Sequence, residues 1–184
     1  MVVSEANSLV LHKLATSDRQ EFVTRLQGSF DVGAAAYFDN DSSDPVISEA
    51  EIYQSMDHPG ADTWDVREGG NGVGGAVVSI KEGGLAASLD LLFIDAGEHG
   101  RGLGSELWAA IEAHYPGVRV WKTMTPYDDT RNIHFYVNKC GFRIVEFFHP
   151  GHPDPHDTSP AAGAEERSIP DLMFAFEKNR SPLM

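Results

Sequence analysis

Apolar and polar positions alternate with two different periods along the chain, and the switches between them mark its elements. LVLHKLA (9–15) alternates as a strand does, and Ser17 or Asp18 then caps a helix that runs to about Phe30. Residues 31–60 carry little periodicity, holding a turn-rich acidic stretch, DNDSSDP, and a short helical segment, ISEAEIYQSM. DTWDVREGG and GVGGAVVSIKEGG read as two strands joined by glycine-rich turns. LAASLDLLFID follows, too apolar for an exposed edge. The helical period returns from Gly104 to Tyr115, with Leu103, Leu107, Ala110, Ile111 and His114 on one stripe.

The second half predicts a strand in GVRVWKTMT and a short helix in DDTRNIHFYVNKCGF. Asp129 or Thr130 supplies its N-cap, and Gly141 the left-handed residue that ends it. FRIVEFF and LMFAFEK close the pattern as strands around a long loop that begins HPGHPDPHD. Alternation places Asp90, Leu92 and Ile94 on one strand face, and Trp121, Thr123 and Thr125 outward on another that could line a ligand site, with packing the simpler reading of Trp121. No repeat or linker interrupts the chain, so 1–184 reads as a single domain with its core at about 9–178.

Composition narrows the class. The chain is 41% hydrophobic and 10% aromatic, as in ordinary globular proteins, and no apolar run is long enough for a membrane span. MVVSEANSLVLHKL is a poor signal peptide, and the single Cys140 suits a reducing compartment, which points to the cytoplasm. A net charge of −14 argues against a nucleic-acid partner. That charge is uneven: 1–60 holds ten acids against three bases, whereas Arg101 to Phe148 holds five against six. The second of these segments is where an anionic ligand is least repelled.

It begins inside IDAGEHGRGLGSEL, where Gly97, Gly100, Gly102 and Gly104 separate a strand from a helix. A glycine turn at a helix start exposes backbone N–H groups to an anion, although a turn that merely joins two elements has the same composition. Neither GxxxxGK[ST] nor GxGxxG fits the spacing. The stretch resembles the acetyl-CoA-binding motif of the GCN5-related N-acetyltransferases, V-x-P-x-x-[RQ]-G-x-G-[IL]-G. Ile94, Gly100, Gly102, Leu103 and Gly104 stand in place, while Ala96 replaces the proline and His99 the arginine or glutamine. NIHFYVNKCGF resembles the closing motif of that family through Phe135, Tyr136, Lys139, Gly141 and Phe142.

The resemblance implies an α/β (α+β) fold, with a mixed central sheet of about six to seven strands, flanking helices and splayed central strands. It implies an enzyme that uses acetyl-CoA as co-substrate. The coenzyme would meet Leu92 and Ile94 through the strand backbone, and His99, Gly100, Arg101, Gly102, Leu103, Gly104 and Ser105 in the turn, with Arg131 near its phosphates. Tyr136 stands at the position of the acid that protonates the leaving thiolate, its alternative being a packed helix aromatic. Asp90 stands where a base often lies, and serves equally well as an acceptor-binding carboxylate or a solvated strand residue. The acceptor is a primary amine, a cationic small molecule or a protein lysine. A non-catalytic acyl-CoA sensor is the competing reading, and a homodimer is left open. The histidine-rich loop could be read as a metal cluster, but its prolines and irregular spacing favour a loop beside the acceptor, so no metal is expected.

Overall fold

The computed structural model describes residues 8–35, 45–155 and 172–180. The chain divides into two compact units, one ending at Val118 and the other beginning at Arg119. In the first, β1 (Leu9–Lys13), β2 (Ala61–Glu68), β3 (Asn71–Lys81) and β4 (Ala86–Ile94) form an antiparallel sheet in chain order. Helices α1 (Arg19–Ala35) and α2 (Glu49–Asp57) precede β2, and α3 (Leu103–His114) follows β4. The acidic stretch before Pro45, together with His156 and Asp157, lies outside the described residues.

One face of this sheet is buried under α1 and α2. Phe22, Val23 and Leu26 of α1 and Ile52 and Met56 of α2 pack with Val77, Leu91 and Phe93 of the sheet. The Phe22 and Phe93 rings meet edge to face at 5.2 Å. That approach requires Gly75, because a β-carbon there would come within 2.4 Å of Phe22 and 2.7 Å of Phe93. Helix α2 starts at a capping box in which Ser48 and Glu51 each satisfy the other's backbone N–H. A polar chain ties the C-terminal end of α3 to β2. The Trp64 indole donates to the Tyr115 hydroxyl at 2.8 Å, and that hydroxyl donates to Asp62 at 2.9 Å.

The second unit is a three-stranded antiparallel sheet of order β5-β7-β6, built from β5 (Val120–Pro126), β6 (Arg143–Phe148) and β7 (Met173–Asn179). Between β5 and β6 runs α4 (Thr130–His134), which widens into a π-helical stretch over Phe135–Cys140. Asp129 caps its start through the Asn132 N–H at 2.9 Å, and Gly141 ends it at φ 80°. The β5 face expected to point outward is its inward one, although packing, the simpler reading of Trp121, is what that residue does. Trp121, Thr123 and Thr125 are buried, and Lys122, Met124 and Pro126 are exposed. Period-2 alternation separates the faces of a strand but does not say which of them meets the core.

Candidate active site

The stretch after β4 is shaped by two left-handed glycines. A short 3₁₀ turn (Ala96–Glu98) leads to Gly100 at φ 84° and Gly102 at φ 82°, the second being the N-cap of α3. Residues with a β-carbon adopt this conformation at a cost of about 1 kcal/mol or more. No side chain caps α3, and the Gly102 carbonyl accepts from the N–H groups of Ser105 and Glu106 at 3.1 and 3.4 Å. An α-helix leaves its first N–H groups without intrahelical partners. The buried Leu103 side chain pins the helix while Gly102, Gly104 and Ser105 stay accessible. A β-carbon at Gly97, Gly100 or Gly102 would meet nothing within 4 Å, so open space adjoins this backbone. The result is an open run of backbone donors at a helix start, which suits a pyrophosphate.

The side chains expected beside that anion are differently engaged. Arg101 is exposed and bonds Glu98 and, at 2.7 Å, Glu68, so its charge is already matched. His99 turns inward: its Nε2 lies 2.8 Å from the Ile94 carbonyl and 3.3 Å from the Ser29 hydroxyl. A carbonyl only accepts, so Nε2 carries a proton and donates it to Ile94. Arg131 lies exposed on α4, in the second unit.

A β-bulge repositions Asp90. Val78 pairs with Leu89 and Val77 with Leu91, so Asp90 is the extra residue. Leu92 and Ile94 pair with Ala76 and Gly74, whereas Leu91 and Phe93 face α1 and α2 with Val77. The Asp90 carboxylate accepts from the buried Ser79 hydroxyl, and Ser79 shares its face with Val77. Asp90 therefore looks toward the α1–α2 side, and not to the side of Leu92 and Ile94 that unbroken alternation predicts.

Tyr136 is the second residue of the π-helical stretch and only 7% exposed. Such widened turns are rare and recur at functional sites. Its ring lies 5.4, 5.7 and 5.6 Å from those of Phe135, Phe142 and Phe176. Burial among them raises the phenol pKa to about 12, against the opposing pull of a hydrogen bond with Thr123. In the late loop, His149 and His152 exchange backbone hydrogen bonds across a tight turn, and His152 Nε2 contacts Glu146 at 2.7 Å. Among the described residues, no group of three or more His, Cys, Asp or Glu side chains is arranged to hold a metal.

Sequence reasoning missed four partners: Arg25, Ser29, Ser79 and Thr123. Only the first two left a signal, because their i,i+4 spacing puts both on one face of α1. Ser79 could be matched to Asp90 only by knowing the bulge, and Thr123 to Tyr136 only by knowing which face of β5 is buried.

The acetyltransferase (GNAT) family model matches residues 27–142. The chain is 40% identical over 148 residues to the uncharacterized protein YrkN of Bacillus subtilis, covering 80% of each. The chain therefore belongs to the GNAT acetyltransferase family. Its fold is that of the ribosomal-protein-S18-alanine N-acetyltransferase of Escherichia coli, with a TM-score of 0.65, 13% identity and 93% of each chain covered. The spermidine N-acetyltransferase of Vibrio cholerae, solved with CoA and spermine, gives a TM-score of 0.61 at 14% identity, covering 94% of this chain and 95% of the other. An acetyltransferase from Thermus thermophilus gives 0.60 at 18% identity, covering 94% of this chain and 97% of the other.

Proposed function

We propose that the protein transfers an acetyl group from acetyl-CoA to a primary amine on a cationic small molecule or a lysine side chain. The observation that carries this reading is the uncapped start of α3 behind the left-handed Gly100 and Gly102, in a chain of this family. The backbone of Gly100 to Ser105 would hold the pyrophosphate. The Ile94 carbonyl already accepts from Ser29 and His99, so main-chain pairing with the pantetheine arm falls to groups near Leu92. Residues 1–184 would act as one acetyltransferase domain, since the family match runs through both units. The buried thiol of Cys140, the single cysteine, suits a cytoplasmic setting.

In the proposed reaction the neutral amine attacks the thioester carbonyl, a C–N bond forms and the C–S bond breaks. Asp90, held by Ser79, takes the amine proton through water. Tyr136 gives its proton to the departing thiolate. Its raised pKa keeps the phenol protonated throughout the working range, so the proton is present when the thiolate departs. The test is thiol release from acetyl-CoA across a panel of amines. The expected result is turnover with at least one cationic amine. Coenzyme binding by calorimetry with no turnover on any amine would instead leave a silent acyl-CoA binder.

A further inference from the structure

Helix α1 reaches the end of β4 at two points one helical turn apart. Ser29, 6% exposed, donates its hydroxyl to the Ile94 carbonyl at 2.6 Å. One turn earlier, Arg25 grips the next residue, with Nε and Nη2 donating to the two oxygens of Asp95 at 3.1 and 2.9 Å. Arg25 also donates to Asp65 at 2.8 Å, and its guanidinium lies over the Phe93 ring at 5.7 Å. From the far side of the turn, His99 donates back to the same Ile94 carbonyl, and the Asp95 N–H donates to Val73 at 2.9 Å. The chain from Ile94 to His99 is thus tied at both ends, just before the left-handed glycines.

Resting on the assignment of Gly100 to Ser105 as the pyrophosphate cradle, we infer that Arg25, Ser29 and His99 are positioning residues that clasp the β4 exit and set this cradle before coenzyme arrives. The glycines need such a device. A turn free to adopt left-handed and right-handed backbone states loses entropy when an anion orders it, and that loss weakens binding. Three side chains closing on one carbonyl and the adjacent carboxylate remove that freedom in the free protein. His99 then contributes to anion binding without facing the anion. Its place in the motif, where arginine or glutamine is usual, is filled by another side chain with an N–H at similar reach.

The test compares His99→Leu, His99→Gln and Ser29→Ala with the parent protein, by hydrogen exchange of the free protein and by calorimetry with coenzyme A. Exchange of amides 96–102 should rise in His99→Leu and Ser29→Ala and stay near parental in His99→Gln, whose amide restores the donor to Ile94. Coenzyme affinity should fall roughly fivefold to tenfold in the first two, the scale of one lost hydrogen bond. The KM for acetyl-CoA should rise accordingly, with kcat nearly constant. Unchanged exchange in both disrupted variants overturns the clasp and leaves the cradle assignment standing. Raised exchange with unchanged coenzyme affinity overturns the cradle assignment, and the clasp's role with it. A His99→Gln protein as impaired as His99→Leu overturns the role of the Ile94 bond. If Ser29→Ala does not fold, the two His99 variants decide the matter.

Discussion

The two places where this protein is expected to touch its donor substrate are built on opposite plans. The cradle before α3 is open backbone: glycines in left-handed conformations, no capping side chain, and space where β-carbons would stand. The seat of Tyr136 is closed side chain, with three aromatic rings around the phenol ring and a threonine as the partner of its hydroxyl. The difference follows from what each must do. An anion is bound by several N–H dipoles at short range, so the backbone must be bare and its shape held from outside. A proton donor must keep its proton until charge develops on the sulfur, so it gains from a dry, low-dielectric enclosure. Damage to the cradle should therefore appear in affinity, and damage to the seat in rate.

The sharpest way to break this contrast is Tyr136→Phe, which keeps the packed ring and removes the hydroxyl. Turnover should fall by about 10²–10⁴, the usual loss with a positioned acid, while coenzyme affinity stays nearly intact. A variant that retains most of its activity would reduce Tyr136 to a packing aromatic. Its raised pKa has a second consequence. Burial favours the neutral phenol, so above pH 10.0 the unfolded chain loses this proton before the folded one does. Stability is then lost as pH climbs toward about 12. Between those limits Tyr136→Phe should lose less stability than the parent, by about 2–3 kcal/mol. Parallel alkaline denaturation curves would show that the phenol is hydrated in solution.

On the cradle side, Gly102→Val should weaken coenzyme A binding at least tenfold, about 1.4 kcal/mol or more. The substitution combines an unfavourable left-handed φ with a side chain in the open space by the helix start. Gly97→Val separates those causes, because Gly97 adjoins open space without a left-handed φ. If the pyrophosphate sits at the helix start, Gly97→Val should leave affinity within about twofold, too little to register as a lost contact. Equal losses in the two variants, or none in a folded Gly102→Val, would move the anion elsewhere.

How much of this was legible in advance depended on whether a feature is local. The cap at Asp129, the left-handed Gly141 and the glycine turn before α3 depend on a few adjacent residues, and all were readable from the chain. Helix α1 runs past Phe30 to Ala35, so its predicted stop came early. Asp90 was set on the wrong face because counting by twos assumes an unbroken strand, and a bulge depends on the register with β3. His99 was matched to the anion from its place in the motif. Its partners Ser29 and Ile94 lie 70 and 5 residues away, and only one of these is local. Positions that act through the backbone were legible in the motif, whereas those that act through distant side chains required the fold.

The smallest expected effect concerns the acceptor, and it rests on charge instead of contact. Residues 1–60 carry three bases against ten acids, and all three bases are committed. Lys13 pairs with Asp62, Arg19 with Asp57, and Arg25 with Asp65 and Asp95. Some acids are also spent: Glu51 closes the α2 cap, and Asp31 accepts from the Val46 N–H. Within α1 and α2 themselves, Glu21, Asp31, Glu49, Glu51 and Asp57 outnumber Arg19 and Arg25, an excess of negative charge on the side to which Asp90 is turned. Such a surface draws in cations over roughly one Debye length, about 10 Å at 0.1 M salt, and fades as salt rises. Cationic amines should therefore show the lowest KM at low ionic strength. Raising salt from about 0.05 to 0.5 M, where that length shrinks several-fold, should increase their KM by a few-fold and leave neutral amines nearly unaffected. Steady-state kinetics on matched cationic, neutral and anionic amines reads this directly. A preference for neutral or anionic acceptors with a flat salt series would assign the acidity to solvation alone, and the acetyltransferase would then choose its amine by shape.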